Sequence, residues 1–481
     1  KRDGRIVALQ AHLISDGGAY RSASDDVLEQ ATVFSSGPYE IPNVRVTGAA
    51  ARTNNVPCGA MRGFGAQQIT FSMESQMDRL AQELDMDPFE LRRINMYDVG
   101  SRLVTGQILK HSVGAKPVLD AAEAELRRIK MPEPKPGRRI GVGVAAGMKN
   151  VGIGLGFGDD VDVSMELRED GTLLVRHGAI DLGQGSSSAM CVIAARIMGL
   201  DYDLVNDLTG DTLEGRDGGV TAASRQTHIT GQATLEVTGL FKTKLLEYAA
   251  EAYDVNAARL ELTDDGQFID MDEEEQVGDL RGLARVAKER GDQLVVAHHY
   301  APPTTYRILP EEKREEMGIS DDDYINYPAF CYGCQVAIVE VDEETGQVDV
   351  LKMIAAHDVG TSIRQTAVEG QIEGGVMMGI GYALTEEFVQ EEGIIITDEL
   401  YKMTAPRSTN PVDITAIAVE DPHPRGPFGA KGIGEGSYMP TAPAVVNAID
   451  RAIGVRIKTI PATKDKVLLG YLEKKRQEQS K

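Results

Sequence analysis

At 481 residues, with 42% hydrophobic and 26% charged side chains, the chain has the composition of a globular protein large enough for about three domains. A net charge of −24 argues against the clustered basic face that nucleic-acid phosphates require, and no apolar run reaches the ~20 residues of a membrane span. Four cysteines are too few for a disulfide framework, and the lone Cys331–Cys334 pair lacks the partners that zinc or an iron–sulfur cluster needs.

The first element, "DGRIVALQAHLISDGGAY" (3–20), reads as a turn and an alternating strand whose pairing partner is expected upstream or in another chain. "NNVPCGAMRGFGAQQ" (54–68) sets Arg62 and Phe64 among Gly59, Gly63 and Gly65. Glycine serves both tight turns and close backbone approach, so Arg62 points either at water or at something held nearby. A helix follows over "QITFSMESQMDRLAQELDM", and Asp87-Pro88 predicts the start of another in "DPFELRRINMY". "MPEPKPG" (131–137) is a linker.

Beyond it the sequence repeats one plan. "VSMELREDGTLLVRHGAIDLGQG" (163–185) and "VAIVEVDEETGQVDVLKMIAAHDVG" (336–360) each read as strand, turn and strand, then a short loop before a helix. The turns fall at Asp170-Gly171 and Thr345-Gly346. This predicts two related α+β lobes with a site between them, and three domains: 1–130, 138–295 and 296–481. Segment 297–330 is expected to connect the lobes, and Asp272 to Glu275 to form a solvated turn.

Three stretches carry candidate chemistry. "DLGQGSSS" (181–188) places glycines and hydroxyls at a helix N-terminus, which suits either an oxyanion or simple capping. "GVTAASRQTHITGQAT" (219–234) is a loop of small residues that admits either a cofactor or a packed helix. In "PFGAKGIGEGSYMPTAPAVVNAIDRAIG" (427–454), Glu435 lies between Gly434 and Gly436 ahead of an apolar helix. A carboxylate held there can act as a general base, whereas a residue compensating the helix dipole would sit closer to the helix start.

Together these stretches resemble the molybdenum-binding subunit of the xanthine dehydrogenase/aldehyde oxidase family, in order over nearly the whole chain. The resemblance implies a molybdenum hydroxylase fold of the α+β class, with two related lobes around a buried cofactor and a partial N-terminal domain. It carries the family's metal-side arginine onto Arg62, its ring-packing phenylalanine onto Phe64 and its catalytic glutamate onto Glu435. The "GQG" loop implies cofactor contacts at Gly183, Gln184, Gly185 and Ser186; "TAAS" implies Ala222, Ala223 and Thr227. "VEGQIEGG" adds Gln371, and "KGIGE" adds Lys431 and Gly432.

The substrate pocket departs from the purine pattern. The position of a second arginine, counted back from "IPNVR", is Gln30, which offers no cation, and the second aromatic maps near Ile153. Carbon monoxide dehydrogenases place a cysteine after the loop arginine, and here that residue is Gly63, against copper-bridged chemistry.

The expected activity is hydroxylation of an electron-poor carbon of an aromatic N-heterocycle, purine- or nicotinate-like, with water as oxygen source. An aldehyde or aryl-CoA oxidoreductase is the alternative, and a non-catalytic scaffold a third. The implied cofactor is molybdopterin, in its cytosine dinucleotide form, holding molybdenum with no direct protein ligand. The 2Fe-2S clusters and FAD are expected on partner chains. The family's loops that precede "KRDGRIVAL" are absent, which implies a contribution from a second molybdenum-subunit chain or an N-terminal segment. The expected location is cytoplasmic.

Overall fold

In the computed structural model, which describes residues 1–480, strand β1 (Ala8–Gly18) pairs in parallel with β2 (Asn43–Arg52) through helix α1 (Ser24–Val33). Its partner therefore lies downstream in the same chain, correcting the expectation of one upstream or elsewhere. A parallel partner needs a crossover, which strand alternation alone does not reveal. Exposed and half-buried residues alternate along β1 from Ala8 to Asp16.

Helix α2 (Ala66–Leu84) stops where Asp85 turns left-handed, and α3 (Pro88–Asn95) starts on the expected Asp-Pro signal. The Asp87 carboxylate accepts from the amides of Phe89 (2.8 Å) and Glu90 (3.0 Å). Helix α4 (Ala115–Arg128) then leads into the exposed 131–137 linker.

Strand β3 (Arg138–Val151) follows. The next unit comprises β4 (Val161–Leu167), β5 (Leu173–Arg176), α5 (Ser186–Met198), β6 (Val205–Leu208) and the long α6 (Ile229–Tyr253). A small antiparallel sheet comes next, of β7 (Leu260–Leu262), β8 (Gln267–Asp270) and β9 (Glu275–Asp279). The unit ends with α7 (Leu280–Arg290) and β10 (Val295–Tyr300). A short α8 (Glu311–Glu316) interrupts the connection. The last unit has β11 (Ala329–Asp342), β12 (Val348–Asp358), α9 (Gln365–Leu384), the hairpin β13 (Gln390–Glu391) and β14 (Ile394–Ile395), β15 (Asp413–Val419), α10 (Thr441–Ile453) and α11 (Lys464–Gln479). No helix among the described residues is long and apolar enough to cross a membrane.

The two four-stranded sheets share one pattern of strand pairing. Their orders are β10-β4-β5-β6 and β3-β11-β12-β15. In each, a central antiparallel hairpin has an antiparallel neighbour on one side and a parallel strand on the other. The internal repeat is thus visible in strand pairing. The expected breaks at 138 and 295 do not coincide with the sheets. β3 precedes the second lobe in sequence but pairs with β11 from Arg138↔Asp342 to Val151↔Ala329. β10, which spans the expected break at 295, is an edge strand of the second lobe rather than connection.

β3 and β11 are also where the first unit docks. Glu74 on α2 and Arg92 on α3 form an ion pair at 2.8 Å, both side chains essentially inaccessible. The same Glu74 oxygen accepts the Ala146 amide of β3 at 2.9 Å, and Arg92 donates to the Val144 carbonyl at 2.9 Å. Cys331 and Cys334, three residues apart on β11, fall on opposite faces, and both are buried free thiols. Burial pushes the Cys331 thiol up to about 12.

Candidate active site

The glycine loop before α2 turns inward. Phe64 (φ +49°) and Gly65 (φ +92°) are both left-handed, and a Cβ on Gly65 would lie 2.2 Å from the Val27 carbonyl oxygen. Only glycine fits there. Arg62 donates from Nε to the Gly434 carbonyl at 2.5 Å, and its terminal nitrogen reaches Ser437 Oγ at 3.0 Å and Gln371 Oε1 at 3.4 Å. Burial lowers its pKa and the Glu435 charge opposes the change. An arginine pointing at solvent is thereby excluded.

Glu435 sits in the matching turn ahead of α10. Its Oε1 accepts the Gly63 amide at 3.3 Å, and its Oε2 accepts the Ser224 hydroxyl at 3.4 Å. Ser224 Oγ in turn accepts the Glu435 amide at 3.0 Å. Arg62, Ser224 and Glu435 thus converge from all three units of the chain. No hydrogen bond ties Glu435 to the α10 terminus, so the helix-dipole role has no support.

A residue that sequence reading missed lies beside it. Lys149, near the end of β3, has its ammonium 3.6 Å from Glu435 Oε2, with side-chain exposures of 2% and 15%. It also donates to Asn150 Oδ1 and, at 3.4 Å, to Gln30 Oε1, and lies 5.4 Å from the Phe34 ring centroid. Gln30 is buried and donates to the Tyr327 hydroxyl at 2.9 Å. Gln30 therefore connects to Glu435 through a cation. The available signal was a lysine inside the apolar stretch "GVAAGMKNVG". Ile153, half-buried, donates its amide to Asp159 Oδ2 at 2.9 Å, and the preceding Gly152 amide bonds to the Ala223 carbonyl at 3.0 Å. Phe64 is likewise half-buried, at the head of α2.

An open cleft with a cavity volume of about 70 Å³ runs between the two lobes, walled by Gln184, Gly185 and Thr227 on one side and by Thr361, Arg364 and Gln371 on the other. Gln371 joins this wall to Arg62. Ala223 and Ser224 are both left-handed, at φ +51° and +52°, and Ala222 is exposed. The loop they form meets Gly432 so closely that a Cβ there would lie 1.7 Å from the Ser224 carbonyl oxygen. Arg364 was not anticipated; nothing in its sequence context distinguishes it.

Two expectations are narrowed. At the start of α5, Asp181 occupies part of the backbone donor set that an oxyanion would use. Its carboxylate accepts the amides of Gly183 (2.8 Å), Gly185 (3.3 Å) and Ser187 (3.3 Å). The Gln184 side chain is likewise bonded within its own loop, to the Ile180 carbonyl at 2.8 Å and Ser186 Oγ at 3.0 Å. Lys431 lines the cavity, but its ammonium faces away. It is buried on Asp358 (2.5 Å) and the carbonyls of Phe330 (3.0 Å) and Ser112 (3.2 Å), which uses all three donors. Burial raises Asp358 to about 6 despite the lysine.

The remaining wall suits a polar, anionic, elongated group. The Gln371 amide and the hydroxyls of Thr227 and Thr361 offer hydrogen bonds, and exposed Arg364 offers a cation. A pterin bearing a phosphate fits this donor set.

Comparison with known proteins bears directly on that cavity. A family model described as molybdopterin cofactor-binding domain matches residues 116–410, and another of the same description matches 1–96. The chain is 31% identical to the aldehyde oxidoreductase of Megalodesulfovibrio gigas, covering 97% of this chain and 48% of that protein. It is 28% identical to a xanthine dehydrogenase molybdenum-binding subunit of Escherichia coli, covering 96% and 60%. The quinoline 2-oxidoreductase of Pseudomonas putida 86 superposes with a TM-score of 0.81 at 25% identity, over 98% of this chain and 61% of that one. The chain thus spans about half the length of the curated relatives it matches. With models of that one description covering both its first unit and its central lobes, the chain belongs to the molybdopterin cofactor-binding family of the xanthine dehydrogenase and aldehyde oxidoreductase enzymes.

Proposed function

We propose that this chain is the molybdopterin-holding catalytic part of a hydroxylase that inserts a water-derived oxygen at an electron-poor carbon of an aromatic N-heterocycle. The observation that carries this reading is the convergence of Arg62 on Glu435's turn, from segments 372 positions apart, at a seam that continues into the cavity. A bound molybdopterin supplies the two-electron redox chemistry and the activated oxygen. The chain's residues do the rest. Glu435 takes the proton from the water-derived oxygen on Oε1 or Oε2, both held by neighbouring donors. Arg62 stabilises negative charge that develops at the reacting carbon's substituents. Phe64 positions the ring by stacking, and Gln30 offers it an amide.

Ala222, Ala223, Thr227, Gln184, Gly185, Gln371 and Gly432 form the cofactor's walls, and Arg364 meets its phosphate. The pterin carries a cytosine dinucleotide, and electrons leave to 2Fe-2S and FAD partner chains. A second molybdenum-subunit segment completes the pocket. An aldehyde substrate is the second reading, favoured by the 31% identity to an aldehyde oxidoreductase and by Gln30 standing where a purine site needs a cation.

The test is Glu435→Gln in the complete complex, with molybdenum measured alongside turnover of purines, nicotinate, quinoline and aldehydes on a dye acceptor. Turnover is expected to disappear while metal content stays unchanged. Activity above a few per cent refutes the base assignment, and turnover of aldehydes alone refutes the heterocycle reading.

A further inference from the structure

We infer that Lys149 is a positioning residue for Glu435, pairing with the carboxylate and holding it aimed at the Gly63 turn. The inference rests on the reading of Glu435 as the base. Lys149 rises on β3 among residues that are otherwise buried and mostly apolar, and its ammonium is removed from water. Glu435 is its only carboxylate within ion-pair distance among the described residues. A buried ammonium without a counter-charge is strongly unfavourable, so the pair is mutually required. Burial lowers the lysine's pKa, and the Glu435 charge is the foremost influence restoring it.

The surroundings are few and polar. Asn150 and Gln30 accept from the ammonium, fixing its direction, while Phe34 covers one side. The Cys331 thiol of β11 lies beneath, where a Cβ on Gly436 would come within 2.6 Å of its sulfur. Arg62 adds a second cation from the loop before α2. Lys149 anchors one carboxylate oxygen, Oε2, and leaves Oε1 on the Gly63 amide.

The charge balance follows. One proton passes from the water-derived oxygen to Glu435, and Lys149 keeps its three protons throughout. The two cations then stand without their carboxylate, beside a substrate that is gaining negative charge. Lys149 thereby serves the reaction twice, before and after the proton moves, without touching a reacting atom.

The experiment compares Lys149→Met, Lys149→Arg, Glu435→Gln and the double variant Lys149→Met/Glu435→Gln in the complete molybdenum-loaded complex. In Lys149→Met, kcat/KM is expected to fall about tenfold and its acid limb to move up by about one pH unit, with Lys149→Arg recovering most of both. Thermal melting without substrate gives a second reading. Glu435→Gln alone leaves a buried cation unpaired and lowers Tm, and adding Lys149→Met restores it. An unmoved acid limb, or Tm changes that simply add, overturns the inference. Retained turnover in Glu435→Gln refutes the base reading instead, and Tm coupling in the same set still tests the pair. Should Lys149→Met not fold, Lys149→Gln yields the same two readings.

Discussion

Ser224 and Glu435 bond each other twice across the lobe boundary, the serine oxygen accepting the glutamate's amide at 3.0 Å and donating to its carboxylate at 3.4 Å. One hydroxyl therefore orients both the backbone and the side chain of the proposed base. Ser224→Ala leaves the amide without an acceptor, a loss of about 1–2 kcal/mol. The expected result is a kcat/KM roughly tenfold lower at unchanged molybdenum content. Steady-state kinetics on metal-normalised enzyme decide it, and an unaltered kcat/KM counts against the double bond.

Gly432 lies tightly against the second lobe. A methyl there meets the Ser224 carbonyl oxygen at 1.7 Å, and backbone cannot swing aside as a side-chain tip can. Gly432→Ala is expected to lower stability by about 2 kcal/mol and to reduce retained pterin. Urea unfolding and pterin fluorescence after release measure the two effects, and retention at the wild-type level contradicts the seam as cofactor wall.

How much of this was legible beforehand varies with the kind of interaction. The α2–α3 break was readable because Asp-Pro is local chemistry, and so was the repeat, because turns and alternation are local too. The inward turn of Arg62 and Glu435 was anticipated from the motifs around them. Lys149 was not, because a lysine in a strand normally reaches water, and only the fold shows that this one ends beside a carboxylate. The choice between capping and anion binding at the α5 start was not legible for a related reason: a helix start offers donors, but what engages them depends on a side-chain rotamer. The partner of β1 was missed because parallel pairing leaves no adjacent signature.

Arg92 and Glu74 are buried together, and Glu74 also holds the Ala146 amide. Arg92→Met strands a carboxylate in the core and is expected to cost about 3–5 kcal/mol. Arg92→Met/Glu74→Gln is expected to recover part of that loss. Equal unfolding midpoints for wild type and Arg92→Met argue that the pair is dispensable.

Acid should weaken the fold. Burial holds His228, His357 and His423 at about 4, about 3 and about 3, against an ordinary 6.5. Unfolding returns them to ordinary values, so their stabilising contribution is full above 6.5 and is lost as pH falls toward those lower values. Asp358 acts oppositely: raised to about 6 from 3.8, its contribution is present in acid and lost as pH rises. Three groups outweigh one. Tm is expected to fall between about pH 7 and about pH 5, and calorimetry that shows it level or rising refutes the assignment.

The pairing of Val151 with Ala329 has a consequence for how the molecule comes into being. β3 is an edge strand whose one neighbour is β11. During synthesis from the N-terminus, β3 therefore waits unpaired until the whole intervening lobe has been made. The folding order is nested, with the inner lobe formed before the sheet it interrupts can close. The seam that gathers Arg62, Ser224 and Glu435 is completed last, so a chain stalled midway has Arg62 and Ser224 but lacks the proposed base.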